Sequence, residues 1–198
     1  MTLMPPKAAG RSDIFQTAHS WPTKAILEFI PHDWTIWDSA CGEGRMAETM
    51  KDEGYNVIGT DIMNGFDFLA PMATCEFGYD CIITNGPYSA KDKWLKACYE
   101  TGKPFALMLP ITALGEQGRF KIYKEHGIQV LLLPERVTFI TPNGTVGGSW
   151  FCVAWFCHGL DLPSDIHCSD IIVPDEEKAP VEQERCQNTD DLFQEAAC

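Results

Sequence analysis

Long apolar runs are missing from this chain. None approaches the roughly 20 residues that a helix needs to cross a bilayer, which excludes a helical membrane protein as a reading. Residues 1–10 carry no apolar core of a secretory signal either, and the expectation is a soluble, cytoplasmic protein that contacts no membrane. Metal-ligand spacing is also missing. The nine cysteines are an odd number without Cys/His clusters, so no zinc or other metal site is expected. Cys41, Cys81, Cys152 and Cys157 fall in strand or loop contexts typical of reduced thiols.

Positive charge is scarce, with 15 Lys and Arg against 28 Asp and Glu and a net charge of −13. This counts against a basic surface spread over the whole chain, because phosphate contacts draw on Lys and Arg. The deficit is uneven, however. Residues 161–198 hold eleven acids against Lys178 and Arg185, a net of −9, which leaves −4 for residues 1–160. That part has room for a local basic face, with Lys91, Lys93, Lys96, Arg119, Lys121 and Lys124 as candidates; ordinary solvated helix faces are the alternative.

What is present is enough apolar material for one domain: 198 residues, 45% of them hydrophobic. Residues 1–12, with Pro5, Pro6 and Gly10, read as a flexible start, residues 13–160 as the domain, and residues 161–198 as an acidic, largely disordered tail dispensable for the fold, in which the short run Ile171-Ile172-Val173 can dock locally. Within the domain, strands and helices alternate. Apolar runs at 35–38, 55–60, 79–83, 104–110 and 128–133 are separated by helix-like stretches at 45–51, 89–100 and 117–126, and a helix with Pro22 in its first turn opens the series. The pattern predicts an α/β fold with a doubly wound, mostly parallel sheet. The run at 150–156 reads as the last strand, and residues 134–149 as a long, Gly-rich connection of the kind that carries function.

Chemistry concentrates where strands end. Thr84-Asn85-Gly86-Pro87-Tyr88 closes the run at 79–83 and so sits at the carboxyl edge of the sheet, where α/β proteins build their sites. Asn offers a carbonyl acceptor and two N–H donors, and Tyr a flat face for a planar group, a combination suited to an amine on an aromatic or amide system. Upstream, Asp38-Ser39-Ala40-Cys41-Gly42-Glu43-Gly44 is a strand breaking into a Gly turn before a helix, where a backbone without Cβ atoms lets a ligand approach. Asp61 follows about two dozen residues later at the end of the second strand, the offset at which a carboxylate reaches a ribose diol.

These motifs, with Asp67-Phe68-Leu69 between them, resemble in order those of S-adenosylmethionine-dependent methyltransferases acting on amino nitrogen, above all the small phage and bacterial N6-adenine DNA methyltransferases. The resemblance covers residues 13–157. It implies a Rossmann-like fold with an antiparallel final strand pair, S-adenosyl-L-methionine as cofactor and DNA as partner, RNA being possible. Asn85, Gly86, Pro87 and Tyr88 would form the transfer site; Phe15, Thr17, Asp38, Ala40, Gly42, Gly44, Asp61, Ile62, Asp67, Phe68 and Asn85 would hold the cofactor. Asp67 would accept from the cofactor's adenine amine and Phe68 would flank its ring. Tyr88 and Phe139 would meet the substrate base, Phe139 being otherwise a core-facing residue at a strand end, just as Phe15 would otherwise cover the sheet. Two departures stand out. Ala18 replaces a Pro, and Gly86 replaces the first Pro of a motif that the family writes as Asn or Asp, Pro, Pro, aromatic, which loosens a loop the family keeps stiff.

The resemblance leaves three functions in view. They are methylation of adenine in DNA, amino methylation of RNA adenine or protein glutamine, and cofactor or partner binding without transfer. Any recognition of target sequence would fall to short loops such as 134–149.

Overall fold

The strand Phe105–Pro110 (β5 below) shows how the chain folds. Its side chains alternate between two buried layers, Ala106 and Met108 into one and Phe105, Leu107 and Leu109 into the other. A strand buried on both faces has to be apolar throughout, which is why the run reads as continuous rather than alternating. The computed structural model describes residues 15–70, 78–140, 146–149 and 151–178.

In chain order the elements are β1 (Gln16–Thr17), α1 (Trp21–Leu27), β2 (Thr35–Asp38), α2 (Arg45–Asp52), β3 (Asn56–Gly59), β4 (Cys81–Thr84), α3 (Lys91–Thr101), β5 (Phe105–Pro110), α4 (Gln117–His126), β6 (Gln129–Leu132), β7 (Thr138–Ile140), β8 (Val146–Gly148), β9 (Val153–His158) and β10 (Ile166–Cys168). Seven strands form the main sheet in the order β10-β6-β9-β5-β4-β2-β3. All run parallel except β9, which lies antiparallel between β5 and β6. The expected α/β, doubly wound architecture with an antiparallel strand pair is therefore present. Helices α1 and α2 cover one face through Trp21, Ile26, Met46 and Met50, and α3 covers the other through Trp94, Leu95 and Cys98. Trp155 of β9 donates its indole N–H to the Pro22 carbonyl at 2.7 Å, joining α1 to the sheet across 133 positions of sequence.

Two expectations need correction. Strand β9 is not the last, and residues 161–178 are not a disordered tail. Strand β10 extends the sheet along β6 in register Ile166 to Val130, while Leu162 and Val173 are buried in the core at 5% and 7% exposure. The side chain of Gln129 braces the turn from both ends, its amide N donating to the Leu162 carbonyl and its Oε1 accepting from Leu162 N–H. Residues 1–12 and 179–198 lie outside the described residues. The 134–149 connection is also more ordered than a loop. It contains β7 and β8, which pair antiparallel with each other and, through β7, with β1 to give a small second sheet beside the site; residues 141–145 lie outside the described residues.

Candidate functional site

At the carboxyl edge of the main sheet, the ends of β2, β3 and β4 surround a cavity of about 370 Å³. Its walls include Asp38, Ala40 and Gly42 after β2, Asp61 and Ile62 after β3, and Asn85 and Pro87 after β4. Phe15, just before β1, and Thr17 of the small sheet close one side, and Asp67 and Phe68 another. The structure thus brings eleven sequence-predicted residues to one cavity. Gly44, Gly86, Tyr88 and Phe139 are not among its lining.

Gly44 shapes the turn instead. Its φ of +91° is a left-handed conformation that favours glycine, and it starts α2 by accepting from Glu48 N–H at 2.7 Å. Gly42 has φ +54° and donates its N–H to Asp61 Oδ2 at 2.9 Å. The other oxygen of Asp61 accepts from Met63 N–H at 2.8 Å and caps the short 3₁₀ turn Ile62–Asn64. The acid that was expected to face a ribose therefore also ties the Gly loop to the end of β3. Ile62 and Met63 stand at the rim, 68% and 73% exposed.

Thr84, the last residue of β4, connects the two principal motifs. Its hydroxyl accepts from Ala40 N–H at 3.1 Å and donates to Asp38 Oδ1 at 2.8 Å. Asp38 is 1% exposed, and its Oδ2 has no partner among the described residues. Burial away from water pushes its carboxyl up from the usual carboxylate range to about 7, against the opposing effects of the Thr84 hydroxyl and the nearby Ala40 N–H. An orphaned, buried carboxylate oxygen in a cavity wall calls for a donor or a cation.

Asn85 has a similarly divided side chain. Its Nδ2 donates to the Phe15 carbonyl at 3.0 Å, so the amide is braced by the small sheet, and its Oδ1 is buried without a partner among the described residues. Pro87 holds φ −65° and closes the turn as its carbonyl accepts from Ala90 N–H at 3.0 Å. Tyr88 lies edge-on to Phe139, with ring centroids 6.3 Å apart, and to Phe151 at 5.7 Å. Phe139 is 4% exposed and packs edge-on to Phe15 at 6.2 Å. The expectation that Phe139 offers a free face to a substrate is corrected: it is the core-facing residue behind Tyr88 and Phe15.

Neither a family model nor a curated protein matches the chain. Among solved structures, the fold is similar to a TehB-like SAM-dependent methyltransferase from Corynebacterium glutamicum, with 19% identity, 69% of this chain and 86% of that one covered, and a TM-score of 0.41. It is also similar to a modification subunit of a putative type I restriction enzyme from Vibrio vulnificus, with 16% identity, 94% of this chain covered, 53% of that chain and a TM-score of 0.47. This chain thus spans about half the length of the second protein.

Several residues at the cavity carried no sequence signal. Cys41 and Met46 line it beside the Gly loop, and Trp94 of α3 forms part of its wall, stacked on Phe68 with centroids 4.5 Å apart and planes 29° apart. Phe68 was expected to flank a cofactor ring, and it does line the cavity, but it is 6% exposed and one face of its ring is taken by Trp94. Asp67 remains exposed and accepts from Leu69 N–H at 2.9 Å.

The basic candidates divide. Arg119 is buried, ion-paired with Asp92 and Glu116, and donates to the Ala113 and Gly115 carbonyls, so it braces the start of α4 rather than facing solvent. Lys96 pairs with Glu100 at 3.6 Å. Lys93, Lys121 and Lys124 remain exposed. Among the described residues no group of three His, Cys, Asp or Glu side chains is placed to hold a metal ion, and no helix is long and apolar enough to cross a membrane.

Proposed function

We propose that this protein is an S-adenosylmethionine-dependent methyltransferase that acts on the exocyclic amino nitrogen of adenine in DNA. The observation that carries the reading is Asn85, whose Nδ2 is anchored on the Phe15 carbonyl while its buried Oδ1 has no partner among the described residues. An acceptor held in that way at a cavity wall suits a hydrogen of a planar amine.

The cavity residues fit the cofactor. Asp38 Oδ2 supplies an orphaned carboxylate oxygen for the cofactor's cationic part, Asp61 an acid at the end of β3 for its ribose, and Phe68 and Ile62 an apolar flank for its adenine. Bound S-adenosylmethionine supplies an electrophilic sulfonium methyl. What the protein must do is present the nitrogen. The adenine amine is a weak nucleophile because its lone pair is delocalised into the ring. When Asn85 Oδ1 accepts one of its hydrogens and a loop carbonyl the other, the nitrogen is drawn toward tetrahedral geometry with its lone pair aimed at the methyl. The backbone carbonyl on the Pro87 side of Asn85 is the second acceptor. No strong base is required, because the nitrogen sheds its extra proton to solvent only after it has taken the methyl group; orientation and preorganised acceptors carry the rate. The base leaves its stack to enter the site, and Tyr88 is the ring beside which it lodges.

Incubating the protein with methyl-labelled cofactor and separate pools of DNA, RNA and protein tests the reading. Label in N6-methyladenine of DNA supports it. Label confined to RNA adenine or protein glutamine moves the acceptor but keeps the chemistry, and label in no pool leaves a cofactor-binding protein.

A further inference from the structure

Gly86 stands where the resembling loops carry a proline, and the reason lies beneath it. A Cβ built on Gly86 would meet three indole carbons of Trp94, Cδ2 at 2.9 Å, Cε3 at 3.0 Å and Cε2 at 3.1 Å. The obstacle is a rigid ring plane, not the tip of a flexible side chain, so it cannot swing aside without moving its neighbours. Gly86 is not among the glycines with positive φ, so the residue is required by space and not by backbone angle.

Trp94 is fixed from its other side as well. Its ring stacks on Phe68, Phe68 meets Trp37 edge-on at 5.3 Å, and both Trp94 and Phe68 are 6% exposed. Trp94, Phe68 and Asn85 all line the same cavity. The loop is thus not loosened by its glycine. It rests on an indole that is part of the packed wall.

We infer that Trp94 is the positioning residue of the transfer loop: the Gly86–indole contact sets the height of Asn85 Oδ1, and the Trp94–Phe68 stack links that height to the cofactor side of the cavity. This rests on the methyl-transfer reading above. Raising the loop by a few tenths of an ångström would shift the acceptor away from the amine, and misplacement on that scale lowers rate more than binding.

The test is a four-protein cycle of wild type, Gly86→Ala, Trp94→Phe and the double variant, followed by melting temperature, cofactor affinity and turnover. Trp94→Phe keeps a ring for Phe68 and withdraws ring volume from beneath Gly86; Trp94→Leu repeats the cycle without a ring. Gly86→Ala should lower the melting temperature by roughly 2–8 °C, the overpacking cost for a chain of this size. It should also lower kcat about ten-fold or more while cofactor Kd stays within about three-fold. The double variant should melt no lower than Trp94→Phe alone and recover most of the turnover lost in Gly86→Ala. Melting losses that simply add overturn the contact. A cycle that couples in melting but leaves turnover unrecovered overturns the positioning role. If the wild type binds cofactor and methylates nothing, the transferase reading falls on its own, and the melting cycle still decides whether Gly86 rests on Trp94.

Discussion

Replacing Asn85 by aspartate is the most discriminating change at the site, because it keeps the shape of the side chain and removes the N–H that anchors it on the Phe15 carbonyl. The Nδ2 of Asn85 donates to the Phe15 carbonyl at 3.0 Å. In the Asn85→Asp variant the atom in that place becomes an oxygen, so a hydrogen bond with a net contribution of about 0.5–1.5 kcal/mol is replaced by two acceptors facing each other, and leaving them unsatisfied costs about 1–3 kcal/mol more. The carboxylate relieves this by rotating away from Phe15, which removes its other oxygen from the place where the amine is to be held. Loss of one preorganised polar partner at a reacting group lowers kcat by about 10²–10³-fold. Steady-state methyl transfer on DNA, with calorimetry for the cofactor, should therefore show Asn85→Asp close to Asn85→Ala in kcat, both with cofactor Kd within about three-fold of wild type. Wild-type kcat in Asn85→Asp would refute the claim that the Phe15 carbonyl orients the amide.

Other outcomes follow from the same structure. Asp61→Ala should weaken cofactor binding by roughly 1–3 kcal/mol in calorimetry and also lower the melting temperature of the free protein, because the side chain holds Gly42 N–H and Met63 N–H as well as facing the cavity. The carboxyl of Asp38, raised from 3.8 to about 7 in the folded protein, favours the protonated form, so the stability it lends is full below about pH 4 and is lost as pH rises to about 7. Urea melts of the free protein should accordingly show that Asp38→Asn gains on wild type across this window, by at most about 4 kcal/mol, while wild-type cofactor affinity rises over the same range as the ionised carboxylate meets a cation. Truncation after Leu160 removes β10 and the buried Leu162 and Val173, and should destabilise the protein by roughly 3–6 kcal/mol or render it insoluble; an unchanged melting temperature would contradict the corrected boundary. Trp155→Phe should cost about 1–3 kcal/mol by leaving the Pro22 carbonyl without its indole donor, read as a shift in urea midpoint.

The central sheet was legible because burial on both faces imposes composition. Strands β4 and β5 are buried along almost their whole length, and only uninterrupted apolar runs satisfy that. Helix α4 was legible to the residue, Gln117–His126, since Gly127 stops it with φ +78°. Strand β10 escaped for the opposite reason. It has three residues, two of them exposed, and it is held by backbone bonding to β6 rather than by an apolar pattern. Leu162 is a single anchor in an acidic stretch, and a single anchor has no period to detect, whereas Val173 closes the short apolar run 171–173 that marks a docking segment. At the site, the Gly turn, Asp61 and Asn85 announce themselves by residue type at strand ends. Trp94 does not, because on the sequence it is one more buried position of an amphipathic helix, and its contact with Gly86 exists only once the turn at Pro87 folds the helix back beneath the loop. The role of Phe139 was open for a related reason: a Phe at a strand end is equally suited to core and ligand, and the pairing of β7 with β1 is what turns it inward.

Methyl transfer at Asn85 is tested most directly by nucleoside analysis of DNA incubated with methyl-labelled cofactor and either the wild type or Asn85→Ala. The expected result is labelled N6-methyladenine with the wild type and none with the variant, while both proteins still bind cofactor. Cofactor bound by both, with no labelled N6-methyladenine in the DNA of either, would contradict it.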